Sequence, residues 1–145
     1  MGENVAKRVP LDLGAIDQVS YAVRNLSEAL PRYEQLFGTF TTMTTTLTDI
    51  IFRGQKSEAV LNLAFGKSGS IEVELVEPVS GNFPQVEFLA QHGEGLHHVR
   101  YAISDLEEKK VLLEEQGYCE VVRGQSPGVW LTYRSRTSRA RRSAL

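Results

Sequence analysis

Gly95-Leu96-His97-His98-Val99-Arg100-Tyr101-Ala102-Ile103-Ser104-Asp105-Leu106 decides how this chain is read, because it holds two of the three histidines and because an earlier stretch answers it almost position for position. That stretch is Gln18-Val19-Ser20-Tyr21-Ala22-Val23-Arg24-Asn25-Leu26. At an offset of 80 residues Gln18 meets His98, Val19 meets Val99, Tyr21 meets Tyr101, Ala22 meets Ala102, Val23 meets Ile103, Asn25 meets Asp105 and Leu26 meets Leu106. One structural unit is written twice.

Working outward from the earlier copy, Val19, Tyr21 and Val23 alternate with Gln18, Ser20 and Ala22, which predicts a strand with one apolar and one polar face. Asn25 with Glu28 three residues later forms a capping-box pattern. Leu26, Ala29, Leu30, Tyr33, Leu36 and Phe37 then recur at helical spacing as far as Gly38, with Pro31 an awkward interior residue. The threonine-rich run from Thr39 to Thr48 favours an extended chain. After a turn at Arg53-Gly54-Gln55-Lys56, Ala59 to Phe65 and Ile71 to Glu77 read as two more strands, the last ended by Pro78. The first half, about residues 16–78, is thus a βαβββ unit.

Pro84 is placed to open a short helix through Val86, Phe88 and Leu89 in the joint between halves. The second unit, about residues 96–133, repeats the strand at Leu96 to Ile103. A capping box at Asp105 and Glu108 follows, and a helix through Val111, Leu112 and Leu113 ends at Gly117. Tyr118 to Val122 and Val129 to Tyr133 read as strands about the turn Gly124 to Gly128. There the repeat stops, and residues 134–145 form a tail with five arginines and no acid. The fold class expected is α+β: two βαβββ units forming a cupped mixed sheet in a single domain over 1–145, the second unit lacking its last strand.

The 145 residues, 41% of them apolar and 23% charged, suffice for one domain with a real core. A net charge of −2 gives no general attraction to nucleic acid or membrane surface. No apolar run is long enough for a spanning helix, and the first residues match neither a secretory signal nor a myristoylation site. A cytoplasmic protein is expected. Cys119 stands alone, which excludes an internal disulfide and an all-cysteine metal site.

The polar strand faces agree with one another. Gln18 and Ser20 on the first strand, Glu72 and Glu74 on the fourth, and His98 and Arg100 on the fifth all lie opposite the face that packs on helices. Setting the two first strands side by side makes Gln18 and His98 symmetry mates, with Glu74 approaching from an adjacent strand. An amide oxygen, a carboxylate and an imidazole suit a borderline divalent ion, with zinc, nickel, cobalt, manganese and iron not distinguished. The metal ligands expected are therefore Gln18, Glu74 and His98, and Arg100 and Ser20 are the substrate contacts, Arg100 through a charge-assisted bond to an anionic group. Taken singly, each has a plainer reading: Gln18 and Glu74 as solvated strand residues, His98 as a hydrogen-bonded sheet histidine. His97 alternates to the helix-packed face and reads as structural.

These residues bring a family into view. The duplicated unit, Glu74-Leu75-Val76-Glu77-Pro78, and Phe88-Leu89-Ala90-Gln91-His92-Gly93-Glu94-Gly95-Leu96-His97-His98 resemble the vicinal oxygen chelate superfamily of glyoxalases, bleomycin-resistance proteins and dioxygenases, over about residues 16–133. Within it, methylmalonyl-CoA epimerase and glyoxalase-like proteins are nearest. The resemblance implies one metal ligand from the first and one from the last strand of each unit, so Gln18, Glu74 and His98 fall on three of four positions, and the fourth, a glutamate on the final strand, has no counterpart. The acid/base glutamate of the epimerase falls in Phe40-Thr41-Thr42-Met43-Thr44, which has no acid. The activity implied is that of a metal-dependent isomerase or lyase, stabilising the enolate of a thioester or hemithioacetal substrate. The alternative is a metal-free small-molecule-binding protein of the bleomycin-resistance type. An absent strand leaves an open sheet edge, so a homodimer is expected.

Overall fold

Alternating patterns in both halves become strands of one sheet in the computed structural model, which describes residues 8–125 and 128–135. The elements are β1 (Ile16–Ala22), α1 (Leu26–Phe37), β2 (Thr41–Phe52), β3 (Gln55–Ser68), β4 (Ile71–Gly81), α2 (Pro84–His92), β5 (Gly95–Tyr101), α3 (Leu106–Glu115), β6 (Tyr118–Gly124) and β7 (Trp130–Ser135). The seven strands form a curled half-barrel in the order β5-β1-β4-β3-β2-β6-β7. β1 and β4 are parallel and every other neighbouring pair is antiparallel. The first strands of the two units lie side by side, as the repeat implied.

Two apolar clusters follow from the alternation. On the convex side Val23, Leu26, Ala29, Phe40, Ala64, Val73 and Leu75 pack α1 against the sheet. On the concave side Ile50, Phe52, Ala59, Leu61, Leu63, Val76, Phe83 and Val122 close the far end of the cup. The start of α1 is held three ways: the Asn25 side chain accepts from the Glu28 N–H at 3.0 Å, Glu77 Oε2 accepts from the Leu26 N–H at 2.9 Å, and Asn62 Nδ2 steadies Glu77. A carboxylate at a helix N-terminus satisfies orphan donors and complements the dipole.

Several expected boundaries move. β2 continues to Phe52 and turns on Arg53-Gly54, both at positive φ, the twist-matched geometry of a two-residue hairpin. β4 runs through Pro78 to Gly81 rather than ending at the proline. Its pairing with β1 stops at Val76, so the missing proline N–H faces no partner strand on that side, and a register shift beside Leu61 accommodates it. α1 passes through Pro31 without ending. The capping box repeated at Asp105 does not form: the side chain makes no cap bond and reaches instead to Lys109 Nζ, 3.8 Å away.

The second unit contributes three strands among the described residues. Its helix α3 contains no fully buried residue, whereas α1 rests on a complete sheet, and Val111 stays 53% exposed. Arg134 and Ser135, expected in the tail, complete β7. Residues 136–145 of that tail, and Ser126 and Pro127 of the expected turn, lie outside the described residues. No helix among the described residues is long and apolar enough to cross a membrane.

Candidate functional site

Two cross-strand rows build the polar floor of the cup, and strand register alone places them. In the first, Ser20 on β1 lies between Glu74 on β4 and His98 on β5. In the second, Gln18 lies between Glu72 on β4 and Arg100 on β5. Gln18 and His98 are accordingly diagonal neighbours related by the pseudo-two-fold of the repeat, not directly opposed. Gln18 and Ser20 are 3% and 0% exposed, so this polar face is covered rather than solvated.

Each polar group has a holder. The Ser20 hydroxyl donates to Glu74 Oε1 at 2.6 Å, and Gln18 Nε2 donates to Glu72 Oε1 at 2.7 Å. Arg100 Nε donates to Asp17 Oδ1 at 2.8 Å, and its Nη2 stands 3.9 Å from Glu72. His98 Nδ1 is 2.8 Å from His97 Nδ1. Two such nitrogens hydrogen-bond only if one carries the proton and the other the lone pair, so this contact sets the tautomers of both rings together. When His97 accepts, His98 Nε2 presents a lone pair toward Glu74 Oε1, 3.9 Å away.

Strict alternation put His97 on the helix side, and the ladder shows why that expectation misses half its role. The β1–β5 register shifts between Ser20 and Tyr21, so His97 is an extra residue in a β-bulge. From there its ring meets both Phe88 of α2, at 5.0 Å between centroids, and His98. Asp17 is the matching extra residue on β1, between the pairs Ile16 with Tyr101 and Gln18 with Arg100. No pattern of period two reveals such a residue. The duplicated motif, with Asp17 aligned on His97, was the one signal available.

Burial sets the electrostatics. It pushes the Glu74 carboxyl above the usual carboxylate range, against the Ser20 hydrogen bond and with help from Glu72. Phe65 lies directly across from Glu74 in the β3–β4 ladder and supplies apolar surroundings. Burial lowers His98 to about 3 and His97 to about 4, so both imidazoles are neutral near pH 7. Burial also works against the Arg100 cation, but the hydrogen bond and charge of Asp17, with Glu72 and Glu74 behind, outweigh it.

The donor set fits a divalent ion in its chemistry: a neutral imidazole with one nitrogen held and the other turned inward, and a desolvated carboxylate facing it. The 3.9 Å between Glu74 Oε1 and His98 Nε2 exceeds a hydrogen bond and is about half an ångström wider than two tetrahedral ligands of one ion. No group of three or more His, Cys, Asp or Glu converges among the described residues, and the Gln18 amide stands in the adjacent row of the floor. Beyond the polar rows the wall turns apolar, with Leu63 flanked by Val76 and the half-exposed Met43.

The sequence profile of the Glyoxalase/Bleomycin resistance protein/Dioxygenase superfamily matches residues 17–130. The Bacillus subtilis (strain 168) protein YqjC is 29% identical over 106 residues, covering 72% of this chain and 68% of that protein. Among solved structures, protein BH1468 of Bacillus halodurans C-125 superposes with a TM-score of 0.60 at 21% identity, over 90% of this chain and 91% of its own. Methylmalonyl-CoA epimerase from Mycobacterium tuberculosis gives 0.51 at 20% identity over 82% of this chain and 76% of that one. A mutant 4-hydroxymandelate synthase from Streptomyces coelicolor gives 0.54 at 19% identity over 85% of this chain but only 44% of the synthase.

Proposed function

Because the chain belongs to the glyoxalase/bleomycin resistance/dioxygenase superfamily, whose members include metal-dependent epimerases, lyases and dioxygenases, we propose that it is a metal-dependent isomerase or lyase acting on a thioester or hemithioacetal. Gln18, Glu74 and His98 are the ligands of that reading. The observation that carries it is the inward pair of Glu74 and His98, a buried carboxylate facing a neutral imidazole across 3.9 Å. A divalent ion bound there supplies the positive charge that stabilises an enolate oxyanion when a weak carbon acid loses its proton.

The chain's own residues do the rest of the work assigned here. In this reading His97 Nδ1 accepts from His98 Nδ1–H, the arrangement of their 2.8 Å contact that leaves the His98 Nε2 lone pair for the ion. Ser20, expected from its face to touch substrate, is fully buried and acts through Glu74, whose Oε1 it holds. Arg100 sits 48% exposed at the edge of the polar rows, where an anionic substrate group competes with Asp17 for it. Leu63 and Met43 offer the apolar wall that a thioester's acyl chain needs, and burial of the floor excludes water from a reacting carbon. A cytoplasmic homodimer belongs to the same proposal.

The second reading is a metal-free binding protein using the same cup. It is favoured by the described residues containing no group of three or more His, Cys, Asp or Glu placed to hold one ion. Metal analysis of protein purified without chelator separates the two. About one divalent ion per chain, lost in His98→Ala, supports the enzyme reading, and no ion in the wild type overturns it.

A further inference from the structure

Resting on the reading of Gln18 as a metal ligand, we infer that Glu72 is the positioning residue that turns the Gln18 amide so that its oxygen, not its nitrogen, is left for the ion. A glutamine presents two ends of nearly equal size, and only the oxygen coordinates. Nothing intrinsic to the side chain decides which end faces the cup. Glu72 decides it. The parallel β1–β4 register sets Gln18 opposite Glu72, and Gln18 Nε2 donates to Glu72 Oε1 at 2.7 Å. A carboxylate accepts and does not donate, so the reversed amide would put two oxygens against each other. With Gln18 only 3% exposed, water is poorly placed to take over the role of Glu72.

Glu72 is itself anchored from the third strand. Arg100 Nη2 lies 3.9 Å from Glu72 Oε1, and Arg100 Nε is fixed by Asp17 at 2.8 Å. The chain Asp17–Arg100–Glu72–Gln18 thus runs from the bulge on β1 across β5 and β4 and back to the ligand. It parallels the holders of the other two donors, Ser20 for Glu74 and His97 for His98. The conspicuous acid of this row therefore orients a ligand without being one.

A double-variant cycle with cobalt(II) tests the assignment, since the visible spectrum of the bound ion reports its ligands as well as its affinity. Chelator-stripped wild type, Glu72→Gln, Gln18→Leu and the Gln18→Leu/Glu72→Gln double variant are titrated, with circular dichroism as the folding control. A glutamine at 72 offers the Gln18 amide either an acceptor or a donor, so the orientation is no longer forced. A leucine at 18 has no polar end to orient. The expected result is that Glu72→Gln weakens cobalt binding about tenfold when position 18 keeps its glutamine and less than about twofold in the Gln18→Leu background. Equal weakening in both backgrounds means that Glu72 acts only through its charge and overturns the inference, as does no weakening in either. Absence of cobalt binding by folded wild-type protein overturns the metal reading itself, a result distinct from either of these.

Discussion

Asp17 and His97 are the extra residues at the two register shifts of the β1–β5 ladder, and they occupy the same place in the two units, immediately before Gln18 and His98. Each bulge re-aims a side chain that strict alternation assigns to the helix side. Asp17 reaches Arg100 at 2.8 Å, and His97 reaches His98 at 2.8 Å. The bulge is therefore part of the repeated unit, and it sets a holder beside each strand's central polar residue. The two copies use that position differently, an acid gripping a cation in one and an imidazole fixing a tautomer in the other.

Replacing His97 with leucine tests the second of these. The variant keeps apolar contact with Phe88 but leaves His98 Nδ1 without its partner, which costs about 1–3 kcal/mol for a buried group. Urea unfolding is expected to show that loss, and cobalt titration a drop in affinity of about tenfold as the His98 ring loses its fixed orientation. Unchanged affinity with reduced stability would assign His97 to packing alone.

Glu77 should contribute to stability through α1 rather than through the cup. Its carboxylate accepts from the Leu26 N–H, so Glu77→Ala removes a charged cap and is expected to lower unfolding free energy by about 1 kcal/mol. Glu77→Gln keeps an acceptor but not the charge and should lie between. Metal binding should be unchanged in both, because Glu77 alternates to the convex side with Val73 and Leu75. Equilibrium unfolding with parallel cobalt titrations checks both halves of the expectation.

The legible part of the fold was the part that obeys periodicity. Offset matching of Gln18-to-Leu26 with His98-to-Leu106 gave the duplication, the adjacency of β1 and β5, and the shared face of Gln18, Ser20, Glu72, Glu74, His98 and Arg100. The illegible part depended on register. Whether His98 faces Gln18 or Ser20 is a two-residue shift of pairing that leaves every side chain on its own face, so no single strand encodes it. The bulges at Asp17 and His97 break the period on which the reading rests. The reach of β4 past Pro78 turned on a tertiary fact, the end of its pairing with β1 at Val76. Asp105 failed as a cap although its pattern matches Asn25, because its backbone (φ −111°, ψ 55°) lacks the extended conformation (φ −143°, ψ 112°) from which Asn25 turns its side chain back onto the helix N–H groups.

Acid should unfold the metal-free protein through its paired histidines. Both have folded-state values, about 4 for His97 and about 3 for His98, below the ordinary 6.5, so the unfolded chain binds more protons as pH falls through that value. Their contribution is complete above pH 6.5 and is lost progressively toward pH 4 and 3, at up to about 1.4 kcal/mol per pH unit for each ring. Glu74, raised by burial, has the opposite sign: its contribution is present below the ordinary carboxyl value and is lost as pH rises through its folded-state value. The histidine contribution should therefore fall between pH 6.5 and 5, and Glu74 reduces the net fall wherever its own protonation overlaps that range. Urea unfolding in chelator at pH 7.5, 6.5, 5.5 and 5.0 measures this, and a flat profile would mean that the imidazoles are hydrated in solution.

Gln85 is the counterexample to a fully satisfied interior. It lies on the first turn of α2 just after Pro84, is 3% exposed, and its Oε1 has no hydrogen-bond partner among the described residues. An unpaired buried amide oxygen forfeits about 1–3 kcal/mol of hydration without compensation. Methionine matches the length and volume of glutamine and carries no group that needs a partner, so Gln85→Met is expected to leave stability unchanged or raise it by about 1 kcal/mol. Its buried neighbour Leu89, one turn on, already makes this face of α2 apolar. Thermal and urea unfolding of the variant decide the matter. A loss of about 1 kcal/mol or more would show that the amide oxygen has a donor in solution, and a weakened KM with unaltered stability would make that donor a group on the substrate.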